Sequence, residues 1–411
     1  MAIVKPFKAV RPNRDKVALV SSKSYEAYTP AELGAKLDFN PYTFLHVINP
    51  DYKYLQEISA EQRFQLVRNR YLSFKEQNIF IKDKMPAFYI YETVKENTSF
   101  CGIIAATSIE DYDTDVIKKH EGVIKRRVLL FENYLKTTGF NAEPVLLTFK
   151  DDETLAEIID HKKQERPEYE FSTTDKKLHK LWLVIDDSTI DKITKTFQKI
   201  EAFYIADGHH RSASSVLLAK DLAKKNKENN GLEDYNFFMS YLIPESQLQI
   251  SEFNRFVKDL NGLSLEGFLQ KISTHFIIEN RRQQIYVPSE KHHFSMYLNG
   301  EFYSLYLKKD NYKFTNALSK LDAEILFKLI LNPILGIKDL TNNDRTGYSD
   351  TKTDILSIKT LVDKNLYKVG FGLLPTTVNE LKEIANANLK MPPKTTYIQP
   401  KLRSGLTMYE F

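Results

Sequence analysis

"YIADGHHRSASS", residues 204–215, sets an acid, a glycine, two histidines and an arginine in five consecutive positions after an apolar run. The run "IEAFYIA" (200–206) reads as a buried strand and "HRSASSVLLAKDLAKK" (210–225) as a helix, so residues 207–210 occupy the turn between them. A turn of this kind points the first amides of the helix at whatever sits above it. An anion there gains roughly 0.3 to 2 kcal/mol from the helix dipole alone. Gly208 lets the backbone approach a ligand, and Arg211 offers a planar fork suited to phosphate oxygens. Asp207 does not fit a pure anion site, because it repels phosphate unless it binds a metal or handles a proton. The pattern therefore suits a phosphate with Mg²⁺, or phosphoryl chemistry. In the plainer alternative Asp207 caps the helix, the histidines satisfy local backbone groups and Arg211 pairs with a surface acid. Zinc is disfavoured, since adjacent histidines point apart and no Cys/His set at ligand spacing accompanies them.

Upstream, Phe64, Val67, Tyr71 and Phe74 recur at helical spacing within 57–77, and "AFYIYET" and "FCGIIAATS" read as strands around the polar turn Lys95 to Ser99. In 116–149 the pattern predicts an entry loop, a helix with the buried stripe Ile124, Val128, Phe131 and Leu135, a stop at Gly139 and a strand. Downstream, "HHFSMYLNGEFYSLYL" signals a hairpin turning at Asn299 and Gly300, and a helix is predicted over 315–332, ending before Pro333. These elements predict an α/β, or mixed α+β, protein with a strand-turn-helix phosphate-binding core and further mixed sheet. A boundary falls near 240, giving regions 1–240 and 241–411, with the second able to return to the first.

At 411 residues, with 42% hydrophobic and 27% charged residues, the chain has the composition of an ordinary globular protein of two or three domains. Its 58 basic and 54 acidic residues are interspersed, which is not the concentrated footprint of a nucleic-acid binder. Cys101, the single cysteine, allows no internal disulfide and reads as a small core residue. The N-terminus is charged where a signal peptide needs an apolar stretch, and no segment approaches the roughly 18 apolar residues of a membrane span. The expected location is the cytoplasm. No GxGxxG occurs, and "GLSLEGFL" (262–269) lacks the Lys-Ser/Thr of a Walker A loop, so a bound nucleotide is held by another device.

"DGHHR" after a strand and before a helix resembles the phosphate-binding motif of the ParB/sulfiredoxin superfamily, which includes free serine kinases. "VKPFKAVRP", "NPYTFLHVINP", "HE" at 120 and 121, "YIADGHHR" and "MPPKTTYIQPKLRSGL" together resemble, in order, the landmarks of the domain of unknown function 1015 family. The resemblance implies phosphotransfer on a small hydroxy-amino-acid, of serine kinase or phosphoserine phosphatase type, with ATP or ADP and Mg²⁺ and with serine or phosphoserine as substrate. Glu121, in "KKHEGVIKRR", takes the place of the base on the serine hydroxyl; Asp207 and His210 join it as catalytic groups, and Asp207 holds Mg²⁺. Gly208, His209, Arg211 and Ser212 hold phosphate, while Glu26, His120, Lys394, Thr395 and Thr396 face the substrate. Two departures stand out. His209 replaces the catalytic cysteine of sulfiredoxin, which excludes sulfinic-acid reduction, and "SYEAY" puts Glu26 where the family's "PPYDV" has an aspartate. The competing reading is a ParB-like nucleotide-gated binding or partition protein without small-molecule catalysis, which requires a DNA-binding module.

Overall fold

The computed structural model describes residues 2–52, 57–251, 253–341, 343–348 and 355–411. The chain is mixed α/β and divides into two compact units, Met1–Lys118 with Val123–Leu248 and Pro400–Phe411, and Lys119–Gly122 with Gln249–Gln399.

Among the described residues the first unit carries a nine-stranded sheet, whose path runs Ile117–Lys118, Phe203–Asp207, Val145–Phe149, Phe237–Pro244, Thr98–Ser108, Phe88–Lys95, Leu178–Val184, Tyr169–Ser172. Val4–Lys5 also pairs with Thr98–Ser108. Two pairings are parallel, Phe203–Asp207 with Ile117–Lys118 and Val145–Phe149 with Phe237–Pro244; the rest are antiparallel. Central strands such as Val145–Phe149 are buried along their whole length, as their continuous apolar sequence requires of a sheet covered on both faces. The edge strand Tyr169–Ser172 alternates buried and exposed instead. Ile103, Leu147, Phe149, Trp182, Phe197, Phe203 and Ile205 belong to one buried cluster, each such side chain stabilising the unit by about 1.5 to 3 kcal/mol. A second cluster joins Val67, Tyr71 and Phe74 of the helix Ala60–Glu76 to Phe44, Phe80, Phe140 and Met408. The helical spacing of those three residues, and a Ser59–Gln62 capping box, account for that helix.

The helix Lys125–Thr138 ends at Gly139, which has a φ of 77°, and it packs on the motif helix His209–Lys225. Val128 and Leu135 are buried as expected, but Phe131 is only half-buried and Ile124 is 43% exposed. Ile124 is the N-cap residue with extended backbone, so it stands off the helical stripe that its spacing suggested. No helix among the described residues is long and apolar enough to cross a membrane.

The second unit holds an antiparallel sheet in the order Phe276–Arg282, Glu301–Leu307, His293–Leu298, Val369–Gly372, Arg255–Val257, Thr346–Tyr348. Its hairpin turns at Asn299 and Gly300, with φ of 50° and 83°, the double left-handed conformation of a two-residue type I′ turn. The single helix predicted over 315–332 is broken into a 3₁₀ turn at Leu318–Lys320, a short helix Asp322–Leu326 and a π turn Phe327–Leu331. Leu321 is extended, and the Asp322 carboxylate accepts from the backbone N–H and sits 3.0 Å from the ring Nδ1 of His292. That tertiary anchor fixes where the helix starts, and periodicity alone does not record it.

Candidate functional site

Asp207 ends the strand Phe203–Asp207, and the ladder slips there: Ile205 faces Leu147 and Asp207 faces Leu146, leaving Ala206 as the extra residue of a bulge. Bulges re-aim the side chains beside them. Gly208 follows with φ 102° and ψ 28°, serving as N-cap of His209–Lys225 without a side-chain cap. A side chain here meets two obstacles, the left-handed backbone and a Cβ that would lie 3.0 Å from Nε of Arg211. The glycine thus lets the guanidinium fold over the turn.

Arg211 donates to Asp207 Oδ2 at 2.7 Å, to the Pro144 carbonyl at 2.8 Å and to Glu143 Oε2 at 3.2 Å. It thereby ties the end of one strand to the start of its neighbour, Val145–Phe149. Oδ1 of Asp207 receives Lys401 Nζ at 3.2 Å. The Ser404 hydroxyl donates to Glu143 Oε1. Lys401 and Ser404 come from the C-terminal segment, which is pinned to this unit at several points. Ser22 and Ser404 exchange backbone bonds of 3.1 and 2.9 Å, and Arg403 donates to the Ser21 hydroxyl at 2.6 Å and to the Ser21 carbonyl. Tyr409–Glu410 pairs with Phe140–Asn141. Asp207 does not cap the helix, since the N-cap is Gly208 and the Asp207 carboxylate binds two cations; the rest of the plainer alternative is present, with His210 holding a backbone amide and Arg211 paired with the acid Glu143.

His209 is buried. His210 uses Nε2 to accept the Ile124 N–H at 3.0 Å, capping the helix Lys125–Thr138, whose own N-cap residue offers no side-chain bond. An accepting Nε2 places the ring proton on Nδ1. Ser212 is fully buried, and its hydroxyl donates to the carbonyls of His209 at 3.1 Å and Gly208 at 3.3 Å. Glu26 lies in the 3₁₀ turn Tyr25–Ala27, and its side chain lies outside the described residues.

The remaining sequence candidates lie in the second unit. His120 is buried, its Nε2 3.9 Å from Glu121 Oε1, and its carbonyl accepts the Met391 N–H at 2.8 Å. Thr395 is buried and donates to the Pro392 carbonyl at 2.7 Å; Thr396 is half-buried. Lys394 is an exposed residue with φ 56°, its ammonium 5.7 Å from the Phe253 ring centre.

Two residues of the motif's surroundings escape the sequence reading, Glu143 and Lys401. Lys401 sits in the quoted stretch "MPPKTTYIQPKLRSGL", seven positions beyond Lys394, so the segment is flagged while the residue is not. Glu143, before a strand in "NAEPVLL", carries no local signal. Magnesium fits Asp207 poorly in this arrangement. A hard divalent cation needs oxygens clear of competing cations, whereas one carboxylate oxygen faces an ammonium and the other a guanidinium.

A family model described as "Protein of unknown function (DUF1015)" matches residues 4–324. No curated protein matches the chain. Among solved structures it is similar to SbnI with C-terminal truncation from Staphylococcus aureus, at 12% identity and TM-score 0.38 over 74% of this chain and 85% of that one. It is similar also to a free serine kinase in complex with AMP, at 11% identity and TM-score 0.35 over 73% and 88%. A conserved hypothetical protein from Pyrococcus furiosus shares 12% identity at TM-score 0.32 over 74% and 92%.

Proposed function

The chain belongs to that DUF1015 family, and from this premise we propose that it is a phosphotransferase that moves a phosphoryl group between a nucleotide, ATP or ADP, and a small hydroxy-amino-acid such as serine. One observation carries the reading: a left-handed glycine heads a 17-residue helix, and two cations, Arg211 and Lys401, converge on the acid before it. Helix N-terminal amides and a planar guanidinium are the donors that phosphate oxygens take. The resemblance of "DGHHR" to the ParB/sulfiredoxin motif supports the same reading.

In this account the backbone of 208–211 cradles the phosphate, and Arg211 stabilises charge on the transferring oxygens. Asp207 holds Arg211 in position from one side and Glu143 from the other. His210 orients the loop by holding the Ile124 amide. The family resemblance gives Glu121 the role of base toward the serine hydroxyl.

Phosphorus NMR tests this in both directions, with ATP plus serine and with ADP plus phosphoserine, and in each case with and without Mg²⁺. The parent protein is expected to interconvert them, and Glu121→Gln to lose at least on the order of 10²-fold in rate while binding nucleotide normally. Free phosphate released from phosphoserine without nucleotide identifies a phosphatase. A parent that catalyses none of these steps yet binds CTP and DNA contradicts the proposal and leaves the partition reading.

A further inference from the structure

We propose that Lys401 is a phosphate-binding residue whose ammonium occupies the place at Asp207 that a divalent cation takes in metal-dependent phosphate sites, so that this loop binds phosphate without a metal. The inference rests on the phosphate-binding reading of the loop.

Asp207 poses a difficulty at such a loop. A carboxylate beside a phosphate site repels the ligand unless something positive lies between them. In metal-dependent sites a magnesium ion bridges carboxylate and phosphate oxygens. Here the positive charge is built into the chain. Lys401 Nζ lies 3.2 Å from Oδ1 and Arg211 donates to Oδ2 at 2.7 Å, so each oxygen already faces a cation. An ammonium is a compact charge with three donors, enough to keep a bond to Asp207 and offer others to a phosphate.

Lys401 is also delivered with some precision. The backbone exchange between Ser22 and Ser404, the two bonds from Arg403 to Ser21 and the Ser404 bond to Glu143 fix the segment within three residues of the ammonium. Charge balance makes the role specific. The ion pairs among the described residues join two acids, Asp207 and Glu143, to two bases, Arg211 and Lys401, so removing Lys401 takes one positive charge from the turn. Such a site repels phosphate and attracts a metal.

The test uses the full-length protein as wild type, Lys401→Met, Lys401→Arg, Asp207→Asn and the double variant Lys401→Met with Asp207→Asn, each checked for folding by circular dichroism. Manganese alone is titrated first, read by electron paramagnetic resonance. Lys401→Met is expected to bind Mn²⁺ at least about tenfold more tightly than wild type, with the gain erased in the double variant and absent in Lys401→Arg. AMP is then titrated in EDTA and in Mg²⁺. Wild type should bind equally in both, whereas Lys401→Met should bind at least about tenfold more weakly in EDTA and recover in Mg²⁺. A wild-type Mn²⁺ site that Asp207→Asn abolishes, or no gain in Lys401→Met, overturns the proposal. If neither AMP nor ADP binds any variant under any condition, the phosphotransferase reading falls, and the manganese titration still decides the role of Lys401.

Discussion

Gly208 shows how one position serves two demands. Its φ of 102° excludes ordinary side chains, and the guanidinium of Arg211 fills the space a Cβ needs. Gly208→Ala is expected to cost about 1 to 3 kcal/mol in urea unfolding; an unchanged midpoint contradicts this geometry. Arg211 is bonded to Pro144, Glu143 and Asp207, so Arg211→Lys reaches beyond phosphate affinity. A lysine keeps the charge but not the fork, so stability should fall by about 1 to 3 kcal/mol along with affinity. A second residue, His179, sets a pH dependence. It is stacked on Phe171 at 5.1 Å and lies 2.7 Å from the Tyr91 hydroxyl; burial, then the charge of Arg403, lowers its pKa to about 3. The folded state therefore binds fewer protons at His179 than the unfolded chain between about pH 6.5 and 3, and stability falls as pH drops through that window. Asp111, raised to about 6 by burial, has the opposite sign: its contribution declines as pH rises from about 4 to 6. Melting temperatures against pH should lose part of their acid slope in His179→Gln; a slope that persists unchanged assigns it to other groups.

Among the elements, those with a clean period or a turn signature were legible. The strand Phe203–Asp207, the helix that follows, the hairpin at Asn299 and Gly300 and the helix ending at Gly139 lie where their residues predict. The stretch 315–332 failed because its apolar spacing fits a helix while Asp322 is held from outside by His292. The landmark "VKPFKAVRP" proves to be architectural at Arg11, a buried residue of the strand Val10–Pro12. Its Nε donates to Asp83 at 2.9 Å, and its Nη1 to Glu168 at 2.9 Å and to the Tyr169 hydroxyl at 2.7 Å. Arg11→Met leaves Asp83, half-buried beside the Tyr89 hydroxyl, without its cation, and the expected cost is about 3 to 5 kcal/mol in equilibrium unfolding. A cost below about 1 kcal/mol would show that water replaces the guanidinium.

On the scale of the whole molecule, the sequence displayed its segments but not their meetings. Lys401 reaches Asp207 across 194 positions, and Glu143 meets both Arg211 and Ser404 through strand order and the return of the C-terminus. No local pattern encodes such encounters, because they depend on which strands become neighbours. The residues of the turn itself were readable, since their chemistry is concentrated in five consecutive positions; the groups that neutralise them were not. The central claim is that this turn holds the phosphate of a nucleotide. Titrating ADP into ¹⁵N-labelled protein tests it most directly: the amide resonances of Gly208, His209, His210 and Arg211 should move first and saturate together, and ADP binding that leaves these four unmoved would contradict the account.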